Sequence, residues 1–277
     1  MPPIPPQLHF PSPYLRPSSA PSIARSIEMA DGARIASFVY GARTDATPVL
    51  FLHGNGEEHG IFGPAIDVCV EAGHHVVAID SRGQGKSTLG STRLTYELMA
   101  DDALAVLDEL GIRRVHIVGF SDGAIEALLI ARDHPERVAS VLSVGANLTP
   151  EGVLEEPDWN LAENVAQLRD WADAGWDSNG GIDPSLLSPT PDEASAAADL
   201  LELMLLEPHI PAESLAAISC PATVMVGEFD CIRDDETVAI WRSIPGARLS
   251  VVPECGHSIP KRRPDMVVYE LLRLLEA

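Results

Sequence analysis

A chain of 277 residues that is 45% hydrophobic and 22% charged has the balance of a folded globular protein, and no apolar run reaches the roughly 18 to 20 residues that span a bilayer. Its 41 acidic residues against 19 basic ones leave a net charge of −22, a surface that repels phosphate backbones and argues against nucleic-acid binding. What remains is an acidic enzyme or small-molecule binder with neither a nucleic acid nor a membrane as partner.

Residues 1–22 hold eight prolines and no apolar signal core, so they are expected to form an extended, polyproline-like extension whose Phe10 and Tyr14 dock on the protein's own surface. Ser22 to Met29 and Arg34 to Tyr40 flank Asp31-Gly32, a hairpin signal. Six short runs rich in Val and Ile follow: Pro48 to Leu52, His75 to Ile79, Val115 to Val118, Val138 to Val144, Ala222 to Val226 and Arg248 to Val252. They read as buried parallel strands. Between them Thr95 to Leu110, Ala124 to His134 and Asp265 to Leu275 carry apolar residues at helical spacing. This alternation predicts a mostly parallel sheet with crossover helices. The stretch 148–217 interrupts it with helical patterns at Leu161 to Ala174 and Glu193 to Leu206, three of the four tryptophans, and fifteen acids against one base, Arg169. It is expected to be an inserted helical lid, acidic toward water, on a core made of residues 23–147 and 218–277. The four cysteines, Cys69, Cys220, Cys231 and Cys255, show no metal-ligand spacing. With no signal peptide they suggest reduced thiols in the cytoplasm and no metal site.

The chemistry concentrates in loops that follow strands. Gly119-Phe120-Ser121-Asp122-Gly123 joins a strand to a helix, the context in which a tight turn lifts a nucleophilic serine out of the sheet; the competing reading is a serine helix cap. A serine needs a base, and His257, after the last strand, fits best, with His209 as its rival. The imidazole needs a carboxylate to fix its tautomer. Asp230 is chosen over Glu228 in Gly227-Glu228-Phe229-Asp230, because the loop after Val144 offers only Gly145, Ala146 and Asn147. Backbone N–H groups of Asn55, in His53-Gly54-Asn55-Gly56, and of Asp122 are candidate donors to an oxyanion. His53 is expected to brace its loop, and His59 to line either a pocket mouth or solvent. Gly85-Lys86-Ser87 lacks the first glycine of a phosphate-binding loop, which would fall at Asp80, and Gly54-Asn55-Gly56 lacks the third glycine of a dinucleotide fingerprint.

These motifs, together with Asp80-Ser81-Arg82-Gly83-Gln84-Gly85-Lys86-Ser87 and Gly256-His257, resemble the α/β-hydrolase superfamily in kind and in order. The resemblance implies an α/β class fold: an eight-stranded, mostly parallel sheet flanked by helices, a helical lid after strand 6, and no cofactor. It makes Arg82 and Ser87 structural. Asp122 departs from the family, whose residue there is often neutral; its charge suits a helix N-terminus but would disfavour a bound anion nearby. The implied function is a serine esterase with catalytic Ser121, Asp230 and His257, and the acidic lid suggests that it acts on small neutral or cationic esters. Carbon–carbon bond hydrolases, lactonases and thioesterases share the triad, and a slow-turnover receptor of the same fold is the non-enzyme alternative. Epoxide hydrolases and haloalkane dehalogenases use an aspartate nucleophile, so Ser121 argues against both.

Overall fold

The computed structural model describes residues 13–154, 160–173 and 189–276. Eight strands form one sheet: β1 (Ile23–Glu28), β2 (Arg34–Tyr40), β3 (Val49–Leu52), β4 (Val76–Asp80), β5 (Val115–Phe120), β6 (Val138–Val144), β7 (Ala222–Gly227) and β8 (Arg248–Val252), in the order β1-β2-β4-β3-β5-β6-β7-β8. β2 pairs antiparallel with both β1 and β4, and every other pairing is parallel. Crossover connections return each parallel strand to the same starting edge. The loops after β3, β4, β5, β7 and β8 therefore gather at the carboxyl edge of the sheet.

Eight α-helices are described: α1 (Gly63–Glu71), α2 (Tyr96–Glu109), α3 (Asp122–Asp133), α4 (Leu161–Asp173), α5 (Pro191–Leu206), α6 (Asp234–Ser243), α7 (Ile259–Arg262) and α8 (Pro264–Leu275). The period of two along β3 sends Leu50 and Leu52 to a core shared with α2 and α3, and Val49 and Phe51 to a second core under α1 and α8. Both sheet faces are thus covered, which is why the central strands read as continuous apolar runs. The Thr95 side chain caps α2 by accepting the Leu98 N–H, and Thr190 and Glu193 form a reciprocal capping box at the start of α5. Helix α1 was not expected from the sequence. Its start signal is one proline beside Gly63, and its buried Ala65, Ile66 and Cys69 make too short a stripe to stand out.

Between β6 and β7, α5 has two apolar faces. Ala194 and Ala198 pack with Leu168 and Trp171 of α4, while Leu200 and Leu203 join the main core. Arg169, the single base of this stretch, bonds Asp199 at 2.6 Å and Glu202 at 2.8 Å across the two helices. Of the expected lid, residues 155–159 and 174–188, with Trp159 and Trp176, lie outside the described residues. No described helix is long and apolar enough to cross a membrane.

The end of the proline-rich extension docks as expected for Tyr14, whose hydroxyl donates to the Glu58 carboxylate; Phe10 lies outside the described residues. Arg16 pairs with Glu58 at 2.7 Å, and the Ser18 N–H reaches both Asp67 oxygens at 3.0 Å. This strap fastens to the segment that follows the Asn55 loop.

Arg82 is structural, as the resemblance implies. It is 1% exposed, grips Asp102 with two bonds of 2.7 Å, and donates to Asp31 at 2.5 Å and to the Leu89 carbonyl at 2.7 Å. Replacing it by alanine strands the buried Asp102 carboxylate. Arg82→Ala is therefore expected to cost about 3–5 kcal/mol in a urea unfolding titration; a loss below about 1 kcal/mol, the range of exposed pairs, would refute that role.

Candidate active site

β5 passes into α3 through Ser121, whose backbone sits at φ 52°, ψ −117°. Among the described residues only Ser121 and Glu254 take a positive φ without being glycine, and such strain costs of order 1–3 kcal/mol. Close packing holds it in place. A Cβ on Gly119 would lie 2.1 Å from the Gly123 carbonyl oxygen, and one on Gly123 would lie 2.2 Å from the Leu52 carbonyl oxygen. Both glycines are thus required by the approach of α3 to β3 and β5. The Ser121 side chain makes no cap bond to its helix, so the capping alternative falls.

The hydroxyl points to the imidazole instead. Ser121 Oγ lies 2.9 Å from His257 Nε2, and His257 Nδ1 lies 2.7 Å from Asp230 Oδ1. Since a carboxylate only accepts, Nδ1 carries the proton and Nε2 faces the serine as an acceptor. Asp230, its side chain 1% exposed, also accepts the N–H groups of Gly227 and Ile232, both at 3.1 Å. Burial works against charge on both groups. For His257 the Asp230 bond, the Cys231 thiol and the Asp230 charge outweigh burial and raise its pKa above the ordinary imidazole value. For Asp230 the His257 bond and charge, with the two N–H donors, hold the carboxyl below its usual range.

The rejected candidates sit elsewhere. Glu228 is exposed and accepts the Glu254 N–H at 2.8 Å. His209 is exposed beyond α5. His53 is fully buried and ties two loops, accepting the Ser81 N–H at 2.9 Å through Nε2 and donating from Nδ1 to the Gly54 carbonyl at 2.8 Å. His59 lines no mouth: its ring is buried and stacked on Phe38 at 3.7 Å, with Nδ1 donating to Asp80 at 2.7 Å and Nε2 accepting from the Tyr40 hydroxyl at 3.1 Å.

The Asn55 loop passes against the elbow, close enough that a Cβ on Gly54 would lie 2.8 Å from Ser121 Cβ. Among the described residues neither the Asn55 nor the Asp122 backbone N–H has an acceptor. Their side chains clasp each other. Asn55 Nδ2 donates to Asp122 Oδ2 at 3.0 Å and to the Leu200 carbonyl at 2.9 Å, while the Tyr96 hydroxyl donates to Asp122 Oδ1 at 2.9 Å. The Asp122 carboxyl is thus turned into the core, where burial pushes its pKa to about 6 against the two donors. Glu126, one helical turn on, is also buried; burial, reinforced by the charges of Asp122 and Asp102, raises its pKa well above the usual range. Tyr96 and Gln84, whose Oε1 accepts the Gly56 N–H at 2.6 Å, support the site from positions that sequence reasoning passed over. Gln84 lies within a motif already read as structural, but nothing local marks Tyr96.

The chain matches the family model described as "alpha/beta hydrolase fold" over residues 47–173. Solved structures extend the likeness to nearly the whole chain. A probable hydrolytic enzyme from Pseudomonas aeruginosa PAO1 superposes with a TM-score of 0.73 at 19% identity over 95% of this chain and 96% of that one. The enol-lactonase from Burkholderia xenovorans LB400 gives 0.70 at 19% over 88% and 97%. This chain has the α/β-hydrolase fold. Two sequences carrying related segments are the putative carbamate hydrolase RutD of Variovorax paradoxus, 36% identical over 37% of this chain and 39% of its own length, and a 2-hydroxy-6-oxononadienedioate/2-hydroxy-6-oxononatrienedioate hydrolase of a Pseudomonas species, 36% identical over 35% of each. The chain thus matches about two fifths or less of these relatives' lengths.

Two outcomes test this arrangement. Asp122→Ala frees both Asn55 and Tyr96 and should lower kcat by up to about 10²-fold, less than or equal to the loss of one oxyanion donor, with KM little changed. Asp122→Asn, which keeps one acceptor, should fall between; equal kcat in all three proteins would refute the clasp. Because the imidazole must be neutral to accept a proton, kcat/KM should rise with pH through a limb above the ordinary imidazole value of about 6.5. In Asp230→Asn the raising partner is gone, so the limb should move to lower pH while kcat drops on the order of 10⁴-fold. An unmoved limb would remove Asp230 from the role.

Proposed function

We propose that the protein is a serine hydrolase that cleaves carboxylic esters through an acyl-enzyme intermediate. The reading is carried by the continuous line from Ser121 Oγ through His257 to Asp230, at 2.9 and 2.7 Å, with the Asn55 and Asp122 backbone N–H groups lacking an acceptor among the described residues. His257 Nε2 takes the Ser121 proton as Oγ attacks the ester carbonyl. The N–H groups of Asn55 and Asp122 hold the oxygen that becomes negative, a contact stronger in the transition state than in the ground state. The imidazolium, steadied by Asp230, protonates the departing alcohol. Water then enters, gives its proton to His257, and releases the acid by the reverse sequence. Relatives named as a carbamate hydrolase and as a hydrolase of an oxononadienedioate are consistent with hydrolysis on related segments.

The preferred esters are small and neutral or cationic. The support is charge: the stretch 148–217, taken in this reading as a lid, carries fifteen acids and one base. Screening beyond roughly 8–10 Å at physiological salt keeps this preference modest. No cofactor enters the reaction, and four free cysteines, three of them buried, fit action in the cytoplasm.

The experiment is hydrolysis of nitrophenyl ester, thioester and lactone panels at low salt, with Ser121→Ala as blank. Ser121→Ala and His257→Ala should each lose roughly four to six orders of magnitude in turnover, and the double variant little more, because the residues act as one unit. Additive losses would contradict the shared mechanism. Faster turnover of anionic than of neutral acyl esters would overturn the charge preference, and a single stoichiometric release of nitrophenol would indicate a receptor.

A further inference from the structure

Cys231 follows Asp230 directly and is the one free cysteine of the chain that is not buried. Its Sγ, a carboxylate oxygen of Asp230 and a ring nitrogen of His257 all lie within 4.8 Å of one another. Sulfur, nitrogen and oxygen donors at such separations are what a borderline-soft divalent cation selects. Around one tetrahedral zinc ion, bond lengths of about 2.0–2.3 Å place neighbouring ligand atoms about 3.3–3.8 Å apart, a spacing inside the 4.8 Å within which these three donors lie. A second group, Glu58, His59 and Asp80, has no thiol, and its ring is buried against Phe38.

We propose that Asp230, Cys231 and His257 form an inhibitory site for a thiophilic divalent cation such as Zn²⁺ or Cd²⁺. The site regulates the centre assigned under Proposed function and rests on that reading for its consequence, though not for its existence. On binding, the Cys231 thiol releases its proton to solvent, and the thiolate, one Asp230 oxygen and one imidazole nitrogen each form a bond to the cation. The imidazole stays neutral and keeps its single proton on the other nitrogen. Neither nitrogen then has a lone pair for the Ser121 proton, so the base is lost whichever nitrogen binds. Removal of the cation by a chelator restores it.

The test uses the full-length protein in chelator-free buffer. Cd²⁺ is titrated while the ultraviolet thiolate-to-cadmium charge-transfer band is recorded, and Zn²⁺ inhibition of nitrophenyl ester hydrolysis is followed in parallel, with reversal by EDTA. The wild-type protein should show the band and reversible inhibition. Cys231→Ser, and Cys231→Ala as a second replacement, should lose the band, and the inhibition of each is read against its own cation-free turnover. Loss of even an outer partner of a metal ligand costs about 10- to 100-fold in affinity, so half-inhibition of these variants should need at least that much more Zn²⁺. An equal band in the Cys231 variants, no band in the wild type, or equal Zn²⁺ sensitivity would overturn the proposal. Failure of the metal-free wild type to hydrolyse any ester would count against the hydrolase reading alone, since the cadmium band still decides the site.

Discussion

The turn at Ser121 is the constraint to which the rest of the site is fitted. A serine held at φ 52° pays a conformational cost that only dense surroundings can enforce, and those surroundings are β3, β5 and α3 meeting with no side chain at Gly119 or Gly123. α3 is buried along almost its whole length, from Asp122 to Ala131, so the sheet and the main core hold the turn rather than the loop itself. From that one geometry follow the exposure of the hydroxyl, the release of the Asp122 N–H at the first position of a helix, and the approach of the Asn55 loop.

The acidity of the chain takes on a second meaning in the interior. A net charge of −22 reads first as a surface property, yet a series of buried or half-buried carboxylates anchors the loops at the carboxyl edge. Asp80 accepts the N–H groups of His59 and Lys86. Asp230 accepts those of Gly227 and Ile232, and Glu236 accepts those of Leu148 and Thr149. Asp31 and Asp102 share Arg82, and Asp122 holds Asn55 and Tyr96. Backbone N–H groups in turns have no ladder partner, and a carboxylate with several acceptor sites satisfies two of them at once. The same device that positions the His257 partner therefore recurs at loops that do no chemistry.

What the sequence disclosed and what it withheld divide along this line. The central strands were legible because burial on both faces demands unbroken Val and Ile runs, β1 and β2 because Asp31-Gly32 marks their hairpin, and all eight strands lie within a residue or two of the expected ranges. Ser121, His257 and Asp230 were legible because each follows a strand, and the sheet brings the strand ends together. Short-range signals failed where the outcome depends on a partner distant in the chain. The direction of the Asp122 side chain is set by Asn55 and Tyr96, 67 and 26 residues away. The burial of His59 is set by Phe38, Tyr40 and Asp80. Helix α1 escaped notice because only three of its apolar positions are fully buried and its start carries no side-chain cap.

The choice of the acid loop also shapes the route of the chain. Because the carboxylate that faces His257 comes from the loop after β7, the segment leaving β6 has no side chain to deliver to the imidazole, and Gly145, Ala146 and Asn147 suffice there. That segment is fastened instead to α6, through Glu236 and the Leu148 and Thr149 N–H groups, and then departs toward α4 and α5. Its return is fastened too, by the Ile210 N–H on the Leu148 carbonyl at 2.9 Å. The inserted stretch is thus closed at its base by bonds that involve neither Ser121, Asp230 nor His257, and it meets the Asn55 loop through the Asn55–Leu200 bond at 2.9 Å. Changes in the length or composition of that stretch can therefore reshape what reaches the carboxyl edge without moving the three groups that would act on it.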